Sequence, residues 1–248
     1  MLRFNAVTVG VQTPSWRGGP PPLDWLELVN RHALVGRLLI ATVHDVNNTL
    51  QVVSGAAEVL AMDPTPDAVT RRTGSIVAQA GQATAALQAL TAFVCDTGTA
   101  GGGRAHPKAI AERAVGLRMY ALRKARITVS VAGEEAECAA GHGRVLQVLL
   151  NLIVNAEQAL AGRAGATLAV RISADAGGVA VSVEDNGPGL RADQTASVFT
   201  WPPAPVLAPG CLGLGLFVSA ALAARDGGTL TYAPGPEGGA VLRLSLPR

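Results

Sequence analysis

The chain has 248 residues, of which 49% are hydrophobic and only 4% aromatic, so its interior must be built from Ala, Val and Leu. With 20 basic and 18 acidic residues the net charge is +2, which excludes the electrostatic footprint of a nucleic-acid or anionic-membrane binder. Cys95, Cys138 and Cys211 match no zinc spacing and suit a reducing compartment. No apolar run reaches the roughly 18 residues of a membrane span, so a cytoplasmic protein without membrane insertion is expected.

Residues 1–23 form an N-terminal segment, closing in Gly18-Gly19-Pro20-Pro21-Pro22, that is too short to be a sensor domain. A first helix is predicted from Asp24, a good cap, to about Met62, and Asp63-Pro64-Thr65-Pro66 must break it. Along this helix Leu39, Val43, Val46, Leu50, Val53, Ala57 and Leu60 recur in steps of four and three, a coiled-coil-like seam. His44 lies off that seam, on a polar stripe with Asn48 and Gln51. A histidine placed there is presented outward to a partner.

A second helix is predicted from Pro66, with Val69, Thr73, Ile76, Ala80, Ala83, Leu87, Leu90 and Val94 again in heptad steps. Two seams joined by a tight turn make an antiparallel hairpin over residues 24–95. One hairpin cannot cover both apolar faces, so a second copy is expected to complete a four-helix bundle, making the protein a homodimer. The competing arrangement buries the hairpin against the chain's own C-terminal part.

Residues 96–106, with Gly101-Gly102-Gly103, read as a linker, and 107–248 read as mixed α/β. Helices are expected at 107–122, 142–161 and 214–225. Strands are expected at 127–131, 167–173, 179–184, 229–232 and 240–246, forming one sheet with helices on one face.

Three patterns in this second part carry chemistry. Asn151 and Asn155 stand one turn apart on an otherwise apolar helix, a spacing that buried structural amides would also show. Asp185-Asn186-Gly187-Pro188-Gly189 follows a strand. Gly213-Leu214-Gly215 opens a helix, where phosphate can approach backbone N–H groups.

Taken together and in order, these segments resemble the bacterial sensor histidine kinases of two-component systems. The resemblance covers about residues 34–247. It rests on HDVNNTLQVV from His44, RVLQVLLNLIVNAEQAL from Arg144, DNGPG from Asp185, and CLGLGLFV from Cys211, with a closing hairpin-like GGTLTYAPGPEGGAVLRLSLP. The nitrogen-regulation type, with His-Asp-x-Asn-Asn, is most similar. The implied fold is α+β: the two-helix hairpin as a dimeric four-helix bundle, followed by an α/β sandwich ATP-binding domain of the Bergerat, or GHKL, type.

The resemblance implies a role for each position. His44 would be the phosphoacceptor, with Asp45 holding one ring nitrogen and Asn48 positioning the γ-phosphate or a water. Asn155 would ligate Mg²⁺. Asn151 would sit where related gyrase-type ATPases carry a water-activating glutamate, and an amide there would spare the γ-phosphate from water. Asp185 would accept a hydrogen bond from the adenine amino group of ATP. Gly187 and Gly189 would let the chain turn beneath the base, Gly213 and Gly215 would admit the triphosphate, and Phe199 would pack the lid.

Two departures stand out. The family's second glycine box begins with glycine where this chain has Cys211, and the lid between Gly189 and Gly213 carries only Arg191 and Asp193 as charges. The function these features imply is a cytoplasmic histidine autokinase that passes phosphate to an aspartate of a separate response regulator receiver domain, with its stimulus brought by a separate sensor protein or through the helix near Trp25 and Leu28. The alternative is a histidine phosphotransferase relay protein with a degenerate nucleotide site.

Overall fold

The computed structural model describes residues 20–62, 64–95, 103–190, 195, 197–201, 213–235 and 238–248. Helices α1 (Leu23–Met62) and α2 (Pro66–Cys95) form the hairpin. Strand β1 (Arg104–Ala105), helix α3 (Pro107–Lys124), strands β2 (Thr128–Gly133) and β3 (Cys138–Ala139) and helix α4 (His142–Ala159) follow. Strands β4 (Thr167–Asp175) and β5 (Gly178–Asp185), helix α5 (Leu214–Arg225), and strands β6 (Thr229–Pro234) and β7 (Ala240–Leu246) complete the order.

Five strands make one sheet in the order β2-β4-β5-β7-β6, with β2 parallel to β4 and every other pair antiparallel. Helices α3, α4 and α5 cover one face. Leu168, Val170 and Ile172 of β4 alternate with more exposed residues, as a half-covered strand requires, and they meet Leu146, Leu149 and Ile153 of α4 in one core. The end of the segment read as linker is in fact structured. Arg104–Ala105 pairs antiparallel with Cys138–Ala139, a pair too short for any periodicity to announce it.

The hairpin is divided in its surroundings. The first half of α1 lies on the mixed α/β part of the chain, where Leu26, Leu34 and Leu38 are buried beside residues of α3, α4 and α5. Beyond it the seam is open in the single chain: Leu39, Val43 and Leu50 are each about half exposed, as are Leu87 and Val94 of α2. At the base of the hairpin the Arg31 guanidinium lies 4.9 Å from the Phe93 ring centroid and donates to the Phe93 carbonyl at 2.6 Å. A cation over an aromatic face ties the start of α1 to the end of α2.

Candidate functional site

Strand β5 delivers Asp185 to the floor of a cavity of about 330 Å³. The cavity lies between α4, the ends of β5 and β7, and the start of α5; Asn155, Gly189, Leu216, Tyr232 and Leu242 form much of its wall. The Asp185 carboxylate is buried, and Oδ1 accepts the Gly187 N–H at 2.8 Å. Burial pushes its pKa above the ordinary aspartate value, while the N–H groups of Gly187 and Ala240 and the charge of Arg163 oppose the rise.

The turn after Asp185 needs its glycines for space. A Cβ on Gly187 would stand 2.7 Å from Asp185 Oδ1 and 3.3 Å from Ala159 Cβ. Gly189 has φ +67, and a Cβ there would meet the Gly238 carbonyl oxygen at 2.6 Å. Asn186, which the sequence did not single out, anchors the turn: its Oδ1 accepts the Thr167 N–H and its Nδ2 donates to the Gly165 carbonyl, both at 2.9 Å. At the exit the Leu190 N–H donates to the Tyr232 hydroxyl at 3.1 Å.

An acceptor at the floor, an amide on the wall and a backbone kept bare of side chains suit a flat base with a charged tail. Residues 141–248 match the model of the family described as histidine kinase-, DNA gyrase B- and HSP90-like ATPases. The chain is 40% identical over 95 residues to the C4-dicarboxylate transport sensor protein DctB of Rhizobium meliloti (strain 1021), covering 38% of this chain and 15% of that protein. It is 40% identical over 111 residues to the sensor histidine kinase ZraS of Escherichia coli (strain K12), covering 45% of this chain and 23% of that one. In structure it resembles the catalytic domain of histidine kinase ThkA, with a TM-score of 0.53 at 22% identity over 59% of this chain and 95% of that domain. Residues 141–248 thus carry the ATPase domain of that family, and the chain is similar to the sensor histidine kinases.

The cavity wall includes three of the expected nucleotide residues, Asn155, Asp185 and Gly189. The others lie off it. Gly213, with φ +67, caps α5 in the left-handed region that glycine favours. Phe199 and Trp201 pack against the core, and the Trp201 ring lies 5.7 Å from that of Phe217. Cys211, Arg191, Asp193 and the proline-rich centre of the lid lie outside the described residues.

Asn151 stands apart from the cavity. Its amide is buried and committed elsewhere: Asn151 Nδ2 donates to Asn30 Oδ1 at 2.9 Å, and Asn30 Nδ2 donates back to Asn151 Oδ1 at 3.0 Å. Asn151 Nδ2 also reaches Ser219 Oγ at 3.1 Å, and Gln147 Nε2 donates to Asn30 Oδ1 at 2.9 Å and to the Glu27 carbonyl at 3.1 Å. Gly215 belongs to the same junction, since a Cβ there would stand 3.3 Å from Asn151 Oδ1. So Asn151 and Gly215 lock α1, α4 and α5 together instead of lining the cavity. Asn30→Leu leaves Asn151 Oδ1 buried without its donor and is expected to lower stability by about 2–3 kcal/mol, read from the denaturant midpoint.

His44 is exposed on α1, as its off-seam place predicts. Among the described residues it has no hydrogen-bonding partner, so Asp45 does not hold its ring in this arrangement. Asp45 instead borders a separate cleft of about 110 Å³ between the hairpin and α3. Asn48 Nδ2 donates to the Tyr120 hydroxyl of α3 at 3.1 Å, a contact that ties this turn of α1 to α3.

Proposed function

We propose that this chain is an ATP-dependent histidine autokinase in which His44 takes the γ-phosphoryl group of ATP bound over Asp185. The observation that carries this reading is the conjunction of a buried carboxylate flooring a glycine-edged cavity with an exposed imidazole on a helix packed against the same domain. The chain spans less than a quarter of the length of the curated relatives described above, so the activity rests on this site and not on theirs.

The Asp185 carboxylate accepts the adenine amino group, which selects adenine over a base with a carbonyl in that place. The Asn155 amide oxygen would be the protein ligand of Mg²⁺, a hard cation that prefers oxygen and would screen phosphate charge. One protein ligand suffices for such an ion when phosphates and water supply the rest, and Asn155 is only half-buried at the cavity wall. A neutral ring nitrogen of His44 attacks the γ-phosphorus. The N–P bond forms as the bridging P–O bond to ADP breaks, and the ring loses its N–H proton from the other nitrogen.

The half-exposed seam residues Leu39, Val43, Leu50 and Leu87 support a homodimer through a four-helix bundle. The phosphoryl group then passes to an aspartate of a separate response regulator. We place the reaction in the cytoplasm. Among the described residues no helix is long and apolar enough to cross a membrane.

The test is incubation with γ-labelled ATP and Mg²⁺. Label that survives alkali, is lost in acid and is absent from His44→Gln and Asn155→Ala supports the kinase. Label that arrives only from a phosphorylated regulator supports a phosphotransferase relay instead.

A further inference from the structure

We propose that Arg37 of α1 supplies the cation that grips the phosphate tail of the nucleotide, an inference that rests on the cavity being an ATP site. Among the described residues bordering the cavity the one charged side chain is Asp185, an acid. A triphosphate remains anionic even with magnesium bound, so the wall as it stands opposes the ligand it is shaped for. Arg163 acts on Asp185 and belongs to the base-recognising end.

The missing charge lies just behind the wall. Gln158, one turn beyond Asn155 on α4, borders the cavity, and with its amide turned so that the oxygen faces the guanidinium, that oxygen accepts from Arg37 Nη1 at 2.6 Å and Nη2 at 3.2 Å. That turn of α1 is held against α4: Arg118 donates to the Arg37 carbonyl at 3.3 Å while forking both oxygens of Glu157 at 2.7–3.0 Å. A guanidinium bonded to a neutral amide can exchange it for phosphate oxygens, which it meets in a planar two-point fork.

Arg37 and His44 are seven residues apart, two helical turns and roughly 10 Å along one face of α1. The helix that bears the phosphoacceptor therefore also bears the clamp. Nucleotide grip becomes a property of the docked stalk, and the domain excised without α1 lacks it.

The experiment titrates the full chain with Mg-ATP and, separately, with adenosine. Arg37→Gln should weaken ATP binding about tenfold, the scale of one charge-assisted hydrogen bond, and leave adenosine binding unchanged. Its ATP affinity should also fall less steeply with salt, and Arg37→Lys should recover part of the loss. Unchanged ATP affinity in Arg37→Gln, or an equal loss for ATP and adenosine, overturns the proposal. A wild-type chain that binds neither ligand overturns the ATP-site reading and the proposal with it.

Discussion

Asp226→Ala should destabilise the protein by about 3–5 kcal/mol, the usual cost of stranding one partner of a buried ion pair. Asp226 lies just past α5, and its carboxylate receives the Arg144 guanidinium of α4 with side chains only 6% and 9% exposed. It also accepts the Gly141 N–H at 3.3 Å, so one carboxylate closes the end of α5 onto the start of α4. Without it the buried Arg144 charge loses its strongest partner. A guanidinium keeps its proton at any working pH, so the arginine cannot escape by losing it. Urea unfolding followed by circular dichroism measures the loss. The double variant Asp226→Leu with Arg144→Met should recover much of it, because removing both charges removes the stranded one.

Asp185→Ala should lower ATP affinity by about 10- to 100-fold, since it deletes a charge-assisted hydrogen bond to the base and orphans the N–H groups of Gly187 and Ala240. The same carboxylate sets a pH dependence. On the proposed reading its ionised form accepts from adenine, so a proton competes with the nucleotide. Burial raises the Asp185 pKa in the free protein, and ATP affinity should therefore fall with acidification at a pH above the ordinary aspartate value of 3.8. In Asp185→Asn that acid-side decline should disappear. Titration calorimetry at a series of pH values separates the two variants, and an unchanged decline in Asp185→Asn would assign the dependence to another group.

The parts legible in the sequence were those governed by local rules. The heptad steps from Leu39 to Leu60 mark α1, the proline-bounded turn ends it, and a histidine off the seam is exposed as expected. Asp185 followed by two glycines reads as a strand end with a tight turn, and the close approaches at Gly187 and Gly189 explain why glycine stands there. What depends on distant partners was not legible. Asn30 is 121 residues from Asn151 in the chain, and each taken alone is only a polar residue on a helix. No spacing rule joins them, so the bonds between the Asn151 and Asn30 amides cannot be read from either residue alone. Arg37 was passed over for the same reason: its significance comes from Gln158, on a helix more than a hundred residues away. Strands β1 and β3 have two residues each and carry no period at all.

The most direct measurement is the position of the phosphoryl group after incubation with Mg-ATP, found by fragmentation mass spectrometry with every step kept alkaline. Phosphate on His44, absent when Asp185 is replaced by alanine, is the result expected of a base-selecting cavity serving an exposed imidazole. Phosphate on another residue, or on His44 in equal amount without Asp185, would contradict it.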